Sequence, residues 1–130
     1  MIRFRKQDVQ KAMESLGFEV TGVNDKSFRA SHSSYLNLVY TIDEKNDEFQ
    51  VNAFFTGKSD NDRVRFLEAI NTANRNTTVN KFAVDGDGDL VIKRCLPAKK
   101  GFSEEQLTHL IKEGDREVQL VVGTLAEFVE

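Results

Sequence analysis

Two stretches in which apolar and polar residues alternate limit the possible folds of this chain more than any other feature. They are YLNLVYTID (35–43) and EFQVNAFFT (48–56). A period of two indicates a β-strand with one buried face, because successive side chains point to opposite faces. The residues that share a face are Leu36, Leu38, Tyr40 and Ile42 in the first stretch, and Phe49, Val51, Ala53 and Phe55 in the second. Since only the polar segment EKND (44–47) separates them, the sequence predicts an antiparallel hairpin.

Two other stretches have the period of an α-helix. In RKQDVQKAMESLGF (5–18) apolar residues recur every three or four positions, and Gly17 can end the helix in a left-handed conformation. In SDNDRVRFLEAINTANRN (59–76), Ser59 or Asp60 is predicted to accept from the free backbone amides at the start of the helix, and Asp62 suits the positive end of the helix dipole. The residues predicted to face inward are Val64, Leu67 and Ile70, with Phe66 and Ala69 beside them.

The sequence from residue 101 to residue 130 predicts one long helix. Ser103 and Gln106 have the spacing of a capping box, in which each side chain bonds the backbone amide of the other residue. The apolar positions then alternate four and three apart, which predicts a narrow buried seam along one side of the helix. The seam comprises Leu107, Ile111, Gly114, Val118, Val121, Leu125 and Phe128.

The remaining segments complete the expected fold. Residues 18–30 mix apolar and polar residues with turn signals and are interpreted as one irregular strand. TVNKFAVD (78–85) and DLVIKRCL (89–96) predict two further strands. The resulting order, α-β-β-β-α-β-β-α, indicates an α+β domain whose antiparallel sheet packs against helices. No linker-like segment divides the chain, so a single domain over residues 1–130 is expected.

A repeated acidic motif, AVDGDGDLVIKR (83–94), raises the question of a metal site. Counted from Asp85, an EF-hand loop needs glycine at its sixth position and glutamate at its twelfth, but Leu90 and Leu96 stand there. Asp-Gly pairs are also typical of hairpin turns. The motif is therefore interpreted as a turn between the last two strands, and no metal site is predicted. Weak calcium binding by its three carboxylates, between Asp85 and Asp89, stays open.

No combination of residues predicts catalysis or a bound cofactor. His32 and His109 are far apart in sequence and have no metal-ligand spacing with Cys95. Ser33 and Ser34 lack the flanking glycines of a nucleophile elbow. The glycine-rich segment is not followed by the lysine and hydroxyl residue of a phosphate-binding loop. We therefore expect neither an enzyme nor a cofactor.

Charge and cysteine content narrow the function classes further. The net charge of −3 argues against a dedicated nucleic-acid binder, which usually carries a basic surplus. Cys95 is the single cysteine, so no intrachain disulfide can form, as is usual in a reducing compartment. No apolar run is long enough to span a membrane. A cytoplasmic protein without nucleic-acid or membrane partners is expected.

Three stretches of the chain resemble the YbjN family, which is associated with bacterial sensory-transduction regulation. They are SLGFEV (15–20), the segment 66–96 with its paired asparagines and acidic turn, and GFSEEQLTHLIKEG (101–114). The resemblance implies a type III secretion chaperone-like fold, a homodimer and a polypeptide partner or client. It implies a fold and no catalytic activity, because none of these motifs is catalytic.

Two functions are compatible with these features. The first is a non-catalytic protein-interaction module, chaperone-like or regulatory, with candidate partner contacts at Phe54, Val118, Val121 and Leu125. Phe54 is expected on the opposite sheet face from Phe49, so that face either contacts a partner or is covered by the long carboxy-terminal helix. The second function is a sensory regulator that binds a small molecule or a metal in a pocket.

Two asparagines on the second predicted helix also have two possible roles. Asn71 and Asn74 lie three positions apart and therefore share a face of the helix. They either contact a ligand or partner, or they hydrogen-bond the following segment and end the helix, as asparagine commonly does.

Overall fold

Six strands and three α-helices follow one another in the computed structural model, which describes residues 2–3, 5–43, 48–97 and 101–130. In chain order they are α1 (Lys6–Ser15), β1 (Glu19–Gly22), β2 (Ser27–His32), β3 (Tyr35–Asp43), β4 (Glu48–Phe55), α2 (Arg63–Arg75), β5 (Lys81–Val84), β6 (Leu90–Pro97) and α3 (Glu104–Leu125). The strands form one antiparallel sheet in the order β1-β2-β3-β4-β6-β5. The predicted fold class, an α+β domain with an antiparallel sheet packed against helices, is confirmed.

The hairpin predicted from the alternating stretches is present as β3 and β4. Tyr40 lies opposite Val51, and Thr41 lies opposite Gln50. Phe49 and Val51 are buried on the predicted face. The polar segment 44–47, predicted to be the turn, lies outside the described residues.

The predicted order of elements is one strand short, because residues 18–30 form two strands rather than one. β1 ends at Gly22 and β2 begins at Ser27. Between them, the Asn24 side chain accepts a hydrogen bond from the Lys26 amide (2.9 Å), and the Val23 amide donates to the Ser27 carbonyl (3.1 Å). An asparagine that bonds its own backbone two residues on is a turn-forming device, and here it reverses the chain.

The second helix begins at Arg63, later than predicted, because Asp62 and neither Ser59 nor Asp60 caps it. It is also rotated relative to the predicted stripe. Asp62 is its N-cap, and its carboxylate accepts from the amides of Val64 (3.0 Å) and Arg65 (3.2 Å). Val64 and Leu67, predicted to face inward, are 65% and 41% exposed. The buried residues are Phe66, Ala69, Ile70 and Ala73. A second set of residues at helical spacing therefore faces the core, with Phe66 stacked on Phe128 at a centroid distance of 4.9 Å.

The long third helix has the predicted capping box and seam. The Gln106 amide donates to Ser103 Oγ (3.0 Å), and the Ser103 amide donates to Gln106 Oε1 (2.7 Å). Every predicted seam position is buried or half-buried. The α-helix ends at Leu125, and Phe128 reaches the core from a short 3-10 turn, Ala126–Phe128. None of the described helices is long and apolar enough to cross a membrane.

The helices cover one face of the sheet, where the core lies. A stack of rings runs through it, with centroid distances of 5.2 Å for Phe28–Tyr40, 5.5 Å for Tyr40–Phe49 and 5.4 Å for Phe49–Phe102. Side chains at the alternate strand positions point away from the helices. We call the surface that they form the open sheet face.

Candidate functional site

The open sheet face carries an exposed aromatic side chain. Phe54 is 61% exposed, whereas its neighbour Ala53 is buried in the core. α3 packs on the opposite side of the sheet, so the alternative in which the long carboxy-terminal helix covers this face is wrong. Phe54 lies opposite Val91 of β6, which in turn lies opposite Ala83 of β5. We call Phe54, Val91 and Ala83 the apolar row.

The next row along the strands is basic. It takes one residue from each strand, namely Thr21, Arg29, Val39, Asn52, Lys93 and Lys81 in order across the sheet. We call this set the basic row, because it contains three cations and no acid. Lys81 and Lys93 lie directly opposite each other, an arrangement that destabilises a strand pair. Among the described residues, neither lysine nor Arg29 forms an ion pair.

A third row on this face is polar. Ser27 Oγ and Thr41 Oγ1 share a hydrogen bond of 3.1 Å, and Gln50 donates to Glu48 over 3.1 Å. Cys95 completes the row opposite Gln50. Burial raises the pKa of the Cys95 thiol, with Lys93 acting in the opposite direction. The thiol is therefore held in its neutral form, which is the opposite of an activated nucleophile.

A buried polar cluster lies on the other face, between β6 and α3. Arg94 is 1% exposed, and its guanidinium donates to Asn80 Oδ1 and to Asp115 Oδ1, each over 2.6 Å. The Asn80 side chain also donates to the Gly114 carbonyl (2.8 Å). The buried Arg94 side chain thus joins elements that lie apart in sequence, so we assign this cluster a structural and not a catalytic role.

Glu117 extends the same cluster to the segment that follows α2. Its carboxylate accepts from three consecutive backbone amides, those of Thr78 (2.7 Å), Val79 (2.9 Å) and Asn80 (3.0 Å). Burial raises the pKa of the Glu117 carboxyl, but these hydrogen bonds outweigh it and hold the pKa below its ordinary value. Glu117 is thus an internal anion that anchors the chain between α2 and β5.

The acidic motif forms the turn between β5 and β6, as predicted. Asp85 accepts from the amides of Asp87 (3.0 Å) and Asp89 (2.9 Å), and Asp89 accepts from the Gly57 amide (2.9 Å). The three carboxylates have oxygens within 4.8 Å of one another. Backbone amides already occupy Asp85 and Asp89, which accounts for these two residue types without a metal. The absence of a metal site stays a prediction.

Asn74 hydrogen-bonds the segment that follows its helix, whereas Asn71 does not join it. Asn74 accepts from the Phe82 amide (2.9 Å) and donates to the Phe82 carbonyl (3.0 Å). The target is the outer edge of β5, an edge strand of the sheet. Asn71 is exposed beside Thr72 and Arg75. The helix ends at Arg75, within the predicted segment.

A small cavity lies between α1, β2 and α3. Its volume is ≈ 260 Å³, and its lining includes Leu16, Phe18, His32, Ser34, Thr108, Ile111 and Lys112. His32 Nδ1 accepts a hydrogen bond from the Ser34 amide (3.0 Å), so this imidazole has a structural role in the loop. The volume is below the range of about 300–1,000 Å³ that is usual for ligand pockets.

A comparison with models of protein families assigns the chain to a family. The family model "YbjN: Putative bacterial sensory transduction regulator" matches residues 6–127. The chain belongs to the YbjN family. No curated protein matches the sequence closely enough to count as a relative.

Solved structures with the same fold include a member of the YbjN family. YbjN from E. coli, titled "a putative transcription regulator", has a TM-score of 0.78 and 11% identity over 100% of this chain and 99% of that chain. The HopA1–SchA chaperone–effector complex contributes a chain with a TM-score of 0.64 and 14% identity, covering 95% of this chain and 94% of that chain.

The type III secretion complex ExoU–SpcU of Pseudomonas aeruginosa also contains this fold. Its matching chain has a TM-score of 0.66 and 15% identity, covering 92% of this chain and 98% of that chain. At these identities the likeness concerns the fold. It confirms the type III secretion chaperone-like fold that the YbjN resemblance implied.

In this YbjN-family chain the candidate partner contacts occupy different environments. Phe54 is on the open sheet face, as described above. Val121 and Leu125 are each 3% exposed and belong to the core, and Val118 is half-buried against it. Those three side chains pack within the chain in this structure. The exposed apolar residues of α3 are instead Leu120 (65%) and Val122 (52%).

Two features of this YbjN-family structure were not predicted from the sequence. One is the buried cluster that contains Arg94 and Glu117, which a pattern in the sequence could have predicted. Arg94 has the inward phase of Leu90 and Ile92 along β6, and Glu117 interrupts the apolar side of α3. A charged residue at a position whose neighbours in the same repeat face the core predicts a buried partner for that charge. The other is the basic row, which depends on strand register and has no signal in any single segment.

Proposed function

We propose that this chain is a non-catalytic protein-interaction module that binds a polypeptide partner, acts as a homodimer and resides in the cytoplasm. The observation that carries the proposal is the exposed Phe54 on a sheet face that none of the described helices covers. Exposure of an aromatic side chain to water is unfavourable, so binding of a partner that buries it is favoured.

The structural neighbours support a polypeptide as the partner. One contains a chaperone bound to an effector, and the other is a heterodimer of a type III secretion system. Both place this fold in contact with another protein chain. The open sheet face offers the present chain a surface for such a contact.

The candidate chemical groups support a non-catalytic role. The Cys95 thiol has a raised pKa, and His32 accepts a hydrogen bond from its own loop. His109 is exposed on α3. A nucleophile paired with a base is what hydrolytic or transfer chemistry needs. Cys95 is on the open sheet face, whereas His32 lines the cavity on the helix side of the sheet.

Affinity capture from the native host, followed by reconstitution with the purified partner, tests the proposal. We expect one defined polypeptide in stoichiometric amount with the wild-type chain. Phe54→Asp should abolish its recovery, whereas Val64→Asp, a change of equal chemistry on an exposed residue of α2, should retain it. Recovery of no polypeptide by the wild-type chain would reject the function. Light scattering after size exclusion tests the homodimer, which a monomeric mass would reject.

A second candidate is a regulator that binds a small molecule, favoured by the cavity between α1, β2 and α3. Lys112, Ser34 and Thr108 give its rim polar groups above an apolar floor. Its small volume makes this the weaker candidate. A thermal shift with a panel of metabolites, lost in Lys112→Ala, would favour it over the interaction module. The same assay with calcium tests the acidic turn.

A further inference from the structure

We propose that the open sheet face binds an acidic polypeptide segment that inserts an apolar side chain beside Phe54. This assignment rests on the proposed function and names the chemistry of its partner. Two rows of the sheet carry it, the apolar row and the basic row, which are neighbours along the strands.

The basic row contains a repulsion that the fold itself does not relieve. Lys81 and Lys93 are cross-strand neighbours, and Arg29 extends the same row on β2. Like charges directly opposite each other lower the stability of a strand pair. None of the three cations has an ion-pair partner among the described residues. An anionic partner would remove this repulsion on binding, so the charge of the row selects acids.

The apolar row lies next to the basic row at a defined spacing. Phe54 is two positions from Asn52 on β4, and Val91 is two positions from Lys93 on β6. Two residues of a strand span about 6.6 Å, which is also the distance between alternate side chains of an extended segment. A partner that presents an acid two positions from an apolar residue therefore meets both rows at once.

The surroundings give the bound segment a direction. Beyond the apolar row, β5 and β6 lead into the turn with Asp85, Asp87 and Asp89. Acids of a partner are repelled from that side and attracted to the basic row on the other. Glu19, Asp43 and Glu48, the other described acids at positions of this face, lie outside the basic row. Such a gradient of charge favours one orientation of an acidic segment over its reverse.

The composition of the face favours polypeptide over nucleic acid. Sheet surfaces that bind single-stranded nucleic acid stack successive bases on several aromatic rings. Here Phe54 stands beside Val91 and Ala83, which offer aliphatic contact without stacking.

Fluorescence anisotropy with three labelled probes tests the assignment on the full-length chain. The probes are a peptide in which phenylalanines alternate with pairs of glutamates, the same peptide with lysine for glutamate, and an oligothymidylate. We expect binding of the acidic peptide only, weakened by salt. Lys93→Glu should weaken it about tenfold or more, because it places like charges together. Lys11→Glu, the same charge change on the exposed side of α1, should leave it unchanged.

Two further readouts locate the contact on the open sheet face. Cys95 lies two positions from Lys93 on the same face, so bound acidic peptide should slow its alkylation. Phe54→Ala should weaken the binding of the acidic peptide, whereas Val64→Ala should leave it unchanged. Equal affinity for the basic peptide, tighter binding of the oligothymidylate, no binding of the acidic peptide, or unchanged alkylation of Cys95 would each overturn the assignment.

The outcomes also separate this assignment from the proposed function. If Lys93→Glu retains the polypeptide recovered from the host, the interaction module stands and the acidic-segment assignment fails. If the acidic peptide binds through Lys93 but the host yields no partner, the proposed function fails instead. If Lys93→Glu converts a dimer to a monomer, a second copy of the chain occupies the face, and the acidic-segment assignment fails.

Discussion

Gly114 of α3 lies against the guanidinium of Arg94 of β6, at a point where any side chain would overlap the buried cation. Arg94 is held there by Asn80 and Asp115 through two hydrogen bonds of 2.6 Å. A glycine in the middle of a long helix lowers helix stability. Its presence here is explained by the close approach of a charged side chain that is buried and hydrogen-bonded on two sides.

Gly114→Ala is therefore expected to destabilise the fold despite the better helix propensity of alanine. The added methyl group displaces Arg94 from its partners, and we expect the free energy of unfolding to fall by about 2 kcal/mol. Urea denaturation followed by circular dichroism measures the change. Gly123, on the same helix, has open space around it. Gly123→Ala should raise stability by up to about 1 kcal/mol, and an equal gain at Gly114 would contradict the packing described.

Glu117→Gln should lower stability and change its dependence on pH. The amide cannot accept from all the donors that surround the carboxylate, so we expect a loss of about 2 kcal/mol at neutral pH. The folded state holds the Glu117 pKa below its ordinary value. Its contribution is therefore complete above the ordinary glutamate pKa of about 4.3 and is lost as the pH falls through the lower folded value.

The measurement for Glu117 is a series of denaturation curves from neutral pH into acid. The wild-type chain should lose more stability over that acid interval than Glu117→Gln does. Glu113, which pairs with Arg116 at the helix surface, supplies the control. Glu113→Gln should change stability by no more than about 1 kcal/mol. Parallel pH profiles for the wild-type chain and Glu117→Gln would show that the carboxylate is not the titrating group.

Lys81→Glu should stabilise the folded chain and should weaken the binding of the acidic peptide. It replaces a like-charged cross-strand pair with an opposite-charged pair, a gain of roughly 0.2–1 kcal/mol. The gain should shrink as salt is added, because both side chains reach solvent. Lys11→Glu makes the same change in net charge away from the pair and should give no gain. A loss of stability in Lys81→Glu at low salt would show that the two lysines do not repel each other.

Local patterns predicted the elements of this fold more reliably than their mutual arrangement. The alternation around Val51 and the capping box at Ser103 depend on nearby residues, and both are present in the structure. The rotation of α2 depends on which of two apolar stripes meets Phe128, a contact far along the chain. The basic row likewise exists only once the strand register places Lys81 opposite Lys93.

Asn74→Ala should expose the edge of β5. The side-chain amide of Asn74 pairs with both backbone groups of Phe82, as a neighbouring strand would. Loss of two hydrogen bonds at a partly buried edge is expected to cost about 1–2 kcal/mol. The uncovered amide and carbonyl can then pair with another chain, so the variant should aggregate more readily.

Denaturation curves and light scattering at rising protein concentration measure the two effects of Asn74→Ala. Asn71→Ala is the matched control, because Asn71 is exposed on the same helix. Its replacement should leave the edge covered and raise stability by up to about 0.7 kcal/mol through helix propensity. If both variants were equally stable and equally soluble, the Asn74 amide would not protect the edge. If Asn74→Ala lost stability without aggregating, the hydrogen bonds would matter for folding alone.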